Sequence, residues 1–194
     1  MKQAICTLKS TSPYSQGRFH NTPKLPKEAP DAHEERTWME RLHYDKNQQV
    51  FIPPMQFANC IKEAAKYLSM KIPGDGNNKY TKHFEAGVMV IDPLQLPIRV
   101  DEVHGDWRHV PSDGRPGGTK RVMKCFPVIP EWSGQVVFYV LDDKITENVF
   151  RYVLEQAGQL IGIGSFRPRN RGYFGRFEVE SMQWIDQAAE SDAA

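Results

Sequence analysis

The sequence is short of several things, and each shortage removes a class of protein. Of 194 residues only three are cysteines, Cys6, Cys60 and Cys125. They stand far apart, are odd in number and form no CxxC pair, so neither a disulfide framework nor a zinc cluster is indicated. No window approaches the ~18 consecutive apolar residues that span a bilayer. The N-terminal MKQAICTLKS has no apolar signal core behind its lysine, so the expectation is a cytoplasmic protein with no membrane partner. No Gly-Lys-Ser/Thr occurs, and the glycine-rich stretch near the C-terminus follows an expected helix instead of opening one, which argues against P-loop and dinucleotide sites. No internal repeat stands out, and no metal or other cofactor is expected. The length suits one well-buried domain, and a composition of 40 % hydrophobic and 25 % charged residues is that of an ordinary globular protein.

Net charge is also nearly absent, at +1, which at first argues against a polyanion partner. The average hides a segregated distribution. Residues 1 to 27 hold Lys2, Lys9, Arg18, Lys24 and Lys27 and no carboxylate; Arg115 to Lys124 and Arg167 to Arg176 are likewise basic and acid-free. Acids collect in Glu28 to Asp45, around Asp101 to Asp106, and in Glu178 to Asp192, which has no lysine or arginine. Three basic segments converging on one face give a strongly positive local potential on a near-neutral molecule; scattered over the surface they are only solvating charge. Charge alone leaves both arrangements open.

The patterning predicts a strand over residues 3–9, a turn at STSPYSQG, an extended proline-containing loop, and a hairpin-like pair around Asp45 to Asn47, with TWMERL readable as a helical turn instead. Pro53-Pro54 opens the clearest helix, whose apolar positions Phe57, Ala58, Ile61, Ala64, Ala65 and Leu68 recur at helical spacing. Further strands are expected over 84–91, 121–129, 135–141 and 176–185, and a helix capped by Thr146 runs to about Leu160 on a stripe of Val149, Phe150, Val153, Leu154, Ala157 and Leu160. In the last strand Phe177 and Val179 share one parity and Met182 and Trp184 the other, which predicts a bulge near Ser181. The economical architecture is α+β: a ferredoxin-like or RNA-recognition-like antiparallel sheet with two main helices on one face. Residues 1–186 form the expected domain, with loop insertions at about 20–36 and 92–120, and 187–194 an acidic frayed tail.

The segment with most chemical content is Gly162-Ile-Gly-Ser-Phe-Arg-Pro-Arg-Asn-Arg-Gly-Tyr-Phe-Gly-Arg-Phe177. Glycines let backbone amides approach phosphate oxygens. Arg167, Arg169, Arg171 and Arg176 carry guanidinium forks that match phosphate geometry. Phe166, Tyr173 and Phe174 offer stacking surfaces to unpaired bases. The bland alternative is a connection whose glycines serve turns and whose aromatics serve the core.

IGIGSFRPRNRGYFGRFEVESMQW resembles the glycine-rich loop and final strand of the RAMP superfamily of CRISPR-associated proteins. LKSTSPYSQG (Leu8 to Gly17) is similar to that family's first strand and turn, and FIPPMQFANCIKEAA (Phe51 to Ala65) to its entry into the first helix. Pro54-Met55 and SPYSQG depart from the family's usual residues at these places. The resemblance implies an RRM-like fold and a backbone subunit that grips guide RNA in repeating copies. Its expected partners are single-stranded RNA, or single-stranded DNA, copies of itself along the strand, and other subunits of a CRISPR-type complex. The nucleic-acid-binding residues it implies, together with the residues' own chemistry, are Ser12, Ser15, Gln16, Arg18, His20, Gln56, Asn59, Lys62, Phe166, Arg167, Arg169, Asn170, Arg171, Tyr173 and Arg176.

Two other classes compete. Some RAMP relatives cleave RNA with a histidine near the first helix, and His20, beside Arg18 and Lys24, is the candidate for that acid–base role. An effector-mimicking inhibitor or a mobile-element strand-binding protein could use the same fold. The cluster Glu102, His104, Asp106 and His109 lies on a glycine-containing stretch with nonspecific spacing and is not taken as a metal site. A non-catalytic subunit is the favoured expectation.

Overall fold

A computed structural model describes residues 1–112, 118 and 120–186. In chain order the elements are β1 (Lys2–Ser10), β2 (Tyr14–Ser15), α1 (Pro30–Thr37), β3 (Gln49–Ile52), α2 (Pro54–Leu68), α3 (Thr81–Gly87), β4 (Val88–Met89), β5 (Leu94–Arg99), β6 (His104–Pro111), β7 (Arg121–Ile129), β8 (Ser133–Val140), α4 (Glu147–Gln156) and β9 (Phe177–Asp186). Short 3-10 turns cover Trp38–Arg41, Val100–Glu102 and Pro168–Asn170, and a π turn covers Ala157–Ile161.

The main sheet has the order β4-β8-β1-β9, with every neighbouring pair antiparallel. Each helix-containing unit, β1-α2-β4 and β8-α4-β9, returns to a strand two places away with a strand of the other unit between, so the two units interleave as in a ferredoxin-like fold. Alternation along β1 turns Ala4, Cys6 and Leu8 inward, opposite Phe138, Val136 and Gly134 of β8. The buried stripes of α2 and α4 close over that face: Phe57, Ile61 and Ala64 meet Phe150, Val153 and Leu154 in one apolar cluster. Phe57, Phe138, Phe150 and Phe177 are fully buried and touch ring to ring or through Trp132. Each such side chain contributes about 1.5–3 kcal/mol from burial alone. The α+β class expected from the sequence is the observed one.

The bulge is where parity placed it. Leu8 pairs with Val179 but Thr7 with Ser181, so Glu180 is the extra residue. Val179, Met182 and Trp184 thereby pack against the same core despite their unequal spacing.

Several local expectations change. The stretch Phe84 to Gly87 ends a helix, α3, and only Val88–Met89 is strand; Phe84 stacks on Phe150, 6.4 Å between centroids, a contact made from a helix packed against α2. Residues 92–112 are not irregular: they build β5, a 3-10 turn and β6. Their polar, proline-broken sequences conceal strand pairing that only the partners β3 and β7 reveal. The loop after Pro23 contains α1. The second main helix stops at Gln156 and continues as a π turn, whose extra residue rotates the stripe: Leu160 is 40 % exposed while Ile161 is buried in its place. Arg115 of the second basic segment and the expected tail 187–194 lie outside the described residues.

Candidate nucleic-acid interface

The glycine-rich loop is sewn to the turn after β1. The Gly175 N–H donates to the Pro13 carbonyl at 2.7 Å, the Ser165 N–H to the Ser15 carbonyl at 2.9 Å, and the Arg176 N–H to Ser12 Oγ at 2.9 Å. Gly164 and Gly175 both have positive φ, +74° and +73°, and a Cβ at either would run into a backbone carbonyl, of Ser15 and Ile163 respectively. Only glycine fits there. The Gly164 N–H has no hydrogen-bond acceptor among the described residues.

Three depressions of about 470, 280 and 420 Å³ run past this seam. Asn59 lines the first two and Gly17 the last two, so they form one groove. One end lies over the outer face of α2, with Lys62, Lys66, Tyr67 and Arg169; the middle is lined by Gln56, His43, Gly164, Ser165 and Arg167; the far end holds Arg18, Phe19, His20, Arg41 and Lys124. Arg18, Lys124 and the Arg167–Arg169 pair come one from each acid-free basic segment. The fold thus brings part of each basic segment to the groove, while Lys2 and Lys9 from the first of them pair instead with Asp143 and Glu180.

Carboxylates temper that charge. Glu63 on α2 binds Arg167 at 2.9 Å and Arg169 at 2.8 Å. At the far end Glu34 of α1, with 2 % of its side chain exposed, pairs with Arg41 at 2.6 Å and Lys124 at 2.8 Å and accepts the Cys125 N–H at 2.8 Å. Burial pushes its carboxyl up, but the Arg41 and Lys124 bonds outweigh burial and hold it below its ordinary range. That triad fastens α1 to β7 and fixes the groove's far wall.

The expected contact residues separate into three groups. Arg18, His20, Gln56, Asn59, Lys62, Arg167 and Arg169 line the groove. Asn170, Arg171, Tyr173 and Arg176 belong to the same loop but lie outside its lining; Arg171 is exposed, with no side-chain partner among the described residues, whereas Arg176 donates to the Gln159 and Tyr173 carbonyls. Ser12, Ser15, Gln16 and Phe166 have structural engagements. Ser15 and Gln16 are fully buried, and Gln16 Nε2 donates to the Phe51 carbonyl at 2.8 Å while its Oε1 accepts the His43 N–H. Phe166 packs edge-on against Phe126, 4.8 Å between centroids, and the Arg108 guanidinium stands 4.7 Å from its ring centre and 4.5 Å from that of Phe174. Arg108 is held in turn by Asp106 at 2.6 Å, with His104 and His109 at opposite parity along β6.

His20 Nδ1 stands 3.6 Å from a Glu40 carboxylate oxygen, and that carboxylate also accepts the Thr22 hydroxyl. Burial, and then Arg41, lower the His20 pKa; burial, and then Arg18, lower that of His43. Both imidazoles are neutral at neutral pH. All three cysteines are buried, and burial raises the Cys6 and Cys60 thiols to about 12 and that of Cys125 to about 11, which leaves no thiolate at neutral pH. Sequence reasoning missed Arg41, His43 and Tyr67 as groove residues. They sit in stretches read as hairpin or helix, and only the fold brings them beside the loop.

No protein-family model matches the chain, and no curated protein is similar to it in sequence. Among the described residues no helix is long and apolar enough to cross a membrane. Solved structures do match. Over 95 % of its length the chain resembles a chain of the cryo-EM structure of the Type III-B Cmr-beta bound to cognate target RNA, at TM-score 0.51 and 10 % identity, and it spans 61 % of that chain. It is also similar to the crystal structure of Cmr6 from Pyrococcus furiosus, at TM-score 0.48 and 12 % identity, over 92 % of this chain and 99 % of that one. At these identities it is the fold that is shared: the chain has the fold of part of a protein in the target-RNA-bound Type III-B Cmr-beta structure.

Proposed function

We propose that the chain is a RAMP-like strand-binding subunit that holds single-stranded nucleic acid, RNA before DNA, along the groove between α2, the glycine-rich loop and the turn after β1. The carrying observation is the meeting of the three acid-free basic segments in that groove through Arg18, Lys124 and Arg167 with Arg169. Phosphates bind the cationic ends and, in the middle, Arg167 and the unpartnered Gly164 N–H, while neutral Gln56, Asn59 and Ser165 line the floor the strand passes over. The RNA-bound state of the Cmr-beta assembly supports the choice of RNA, and a CRISPR-type ribonucleoprotein, with further copies or other subunits alongside, is the setting the shared fold favours. The work assigned to the subunit is binding, with no catalytic step.

The test replaces Arg167, Arg169 and Arg171 together by alanine. Each lost phosphate contact on a single strand flattens the slope of log affinity against log salt by about 0.7, so the slope falls by up to about 2 and binding weakens. Unchanged affinity and slope in a folded triple variant would sink the proposal.

A further inference from the structure

Phe19 is the most exposed large apolar side chain among the described residues, with 86 % of its surface in solvent. Its loop is not slack. The Arg18 N–H donates to the Arg41 carbonyl at 2.9 Å, the Thr22 hydroxyl is bound by Glu40, and His33 Nε2 lies 2.9 Å from the Thr22 carbonyl. A phenyl ring held out in water on a pinned backbone costs hydration free energy, which a ligand in contact with it recovers. At the opposite end of the groove Tyr67, 57 % exposed, stands on the last turn of α2 with the Arg169 guanidinium 5.9 Å from its ring centre. Each exposed ring has cations beside it, Arg18 by Phe19 and Lys66 and Arg169 by Tyr67, with Glu34 and Glu85 also lining the respective ends; between the rings the groove carries Lys62, the Glu63-paired Arg167 and the neutral side chains of Gln56, Asn59 and Ser165.

Resting on the strand-binding reading above, we infer that Phe19 and Tyr67 are base-stacking platforms that bracket the bound strand at the two ends of the groove. A base offers its face to an aromatic ring only when it is unpaired, so the bracket selects single strands over duplexes without reading sequence. The alternating order of ring, cations and polar floor favours a nucleic acid over a protein segment: a peptide docking on an exposed phenyl has no need of guanidinium and ammonium groups beside each ring. The role that sequence pattern gave to Phe166 moves to these residues, because Phe166 is engaged by Phe126 and Arg108.

The experiment uses the full chain and fluorescein-labelled single-stranded RNA of mixed sequence, with its duplex as comparison. Phe19→Ala and Tyr67→Ala each weaken single-strand binding about fivefold or more, leave the salt slope unchanged and narrow the preference over duplex. Ultraviolet cross-linking of the wild-type complex, read by peptide mass spectrometry, places adducts on Phe19 and Tyr67. Both rings are exposed, so neither variant lowers the melting temperature appreciably. A wild-type protein that binds no RNA overturns the strand-binding reading itself. Wild-type binding with full affinity in both variants and cross-links elsewhere overturns the bracket alone. Loss of self-association in Phe19→Ala with RNA affinity intact overturns it too, and assigns the ring to a contact between copies.

Discussion

Glu63→Gln is the substitution whose outcome depends most directly on the geometry of the groove. In the free protein one carboxylate holds two guanidinium groups, Arg167 at 2.9 Å and Arg169 at 2.8 Å, so the three side chains together carry a single positive charge. A phosphate arriving there must compete with Glu63 for the same donors. The amide keeps the shape and can still accept one hydrogen bond, but it raises the local charge to two. If that admits one more phosphate contact, the salt slope steepens by about 0.7, which over a fourfold rise in salt is an additional loss of about 2.6-fold in affinity. At low salt the variant therefore binds single-stranded RNA more tightly than the parent, by several-fold, and the advantage shrinks as salt rises. Fluorescence anisotropy titrations at a series of salt concentrations read both quantities at once. The structural cost is small: Glu63 is 27 % exposed in its side chain, and partly exposed pairs of this kind are each worth up to about 1 kcal/mol. That lowers the melting temperature by about 2–4 °C per kcal/mol for a chain of this size. Equal or weaker binding with an unchanged slope in folded Glu63→Gln would refute the competition argument.

The buried triad and the groove imidazoles give two further expectations. Glu34→Ala strands the Arg41 charge, whose side chain is 13 % exposed, while Lys124 at 39 % can turn to water; the loss is roughly 3 kcal/mol, the lower end of the range for breaking a buried pair, and scanning calorimetry should show it as a fall of about 6–12 °C. His20 and His43 have lowered pKa values, so between about 6.5 and their folded values the unfolded chain binds more protons than the folded one. Stability is thus full above about pH 6.5 and declines as pH falls through the folded values. Binding moves the opposite way: a phosphate in the groove favours the imidazolium forms, so affinity rises on acidification from neutral to about pH 5.5, and a flat affinity profile across that range would place the phosphates away from both histidines.

How much was legible depends on how local the cause is. The α2 stripe, the buried β8 run and the bulge near Ser181 follow from periodicity, because each residue's fate is set by neighbours within a few positions. The strands β5 and β6 do not: LQLPIR and HGDWRHVP contain proline or alternate poorly, and they are strands because Gln49, Phe51 and Ile52 of β3 and the β7 register wait opposite them. Leu160 and Ile161 exchanged places in the π turn, which carries Gly158 close against the Phe177 backbone, a contact far away in the chain. In the site, Arg167, Arg169, Asn59 and Lys62 were readable from residue type, while Ser15 and Gln16 were not: short polar side chains in a turn usually face water, but Gln16 is held by the Phe51 carbonyl and the His43 N–H, and Ser15 is buried where its own carbonyl takes the Ser165 N–H.

The sequence by itself determined the interleaved α+β architecture, the glycine positions that only a residue without Cβ can occupy, and the division of charge into acid-free and acid-rich segments. Those are properties of periodicity and composition, which act at short range. Tertiary structure alone decided where the charge went. A net charge of +1 was compatible with scatter or with convergence, and the choice fell to the backbone bonds that draw the loop after α4 onto the turn after β1 and to the Glu34 triad that sets α1 against β7. Electrostatic potential depends on distances between residues more than a hundred positions apart in the chain, and those distances exist only after folding.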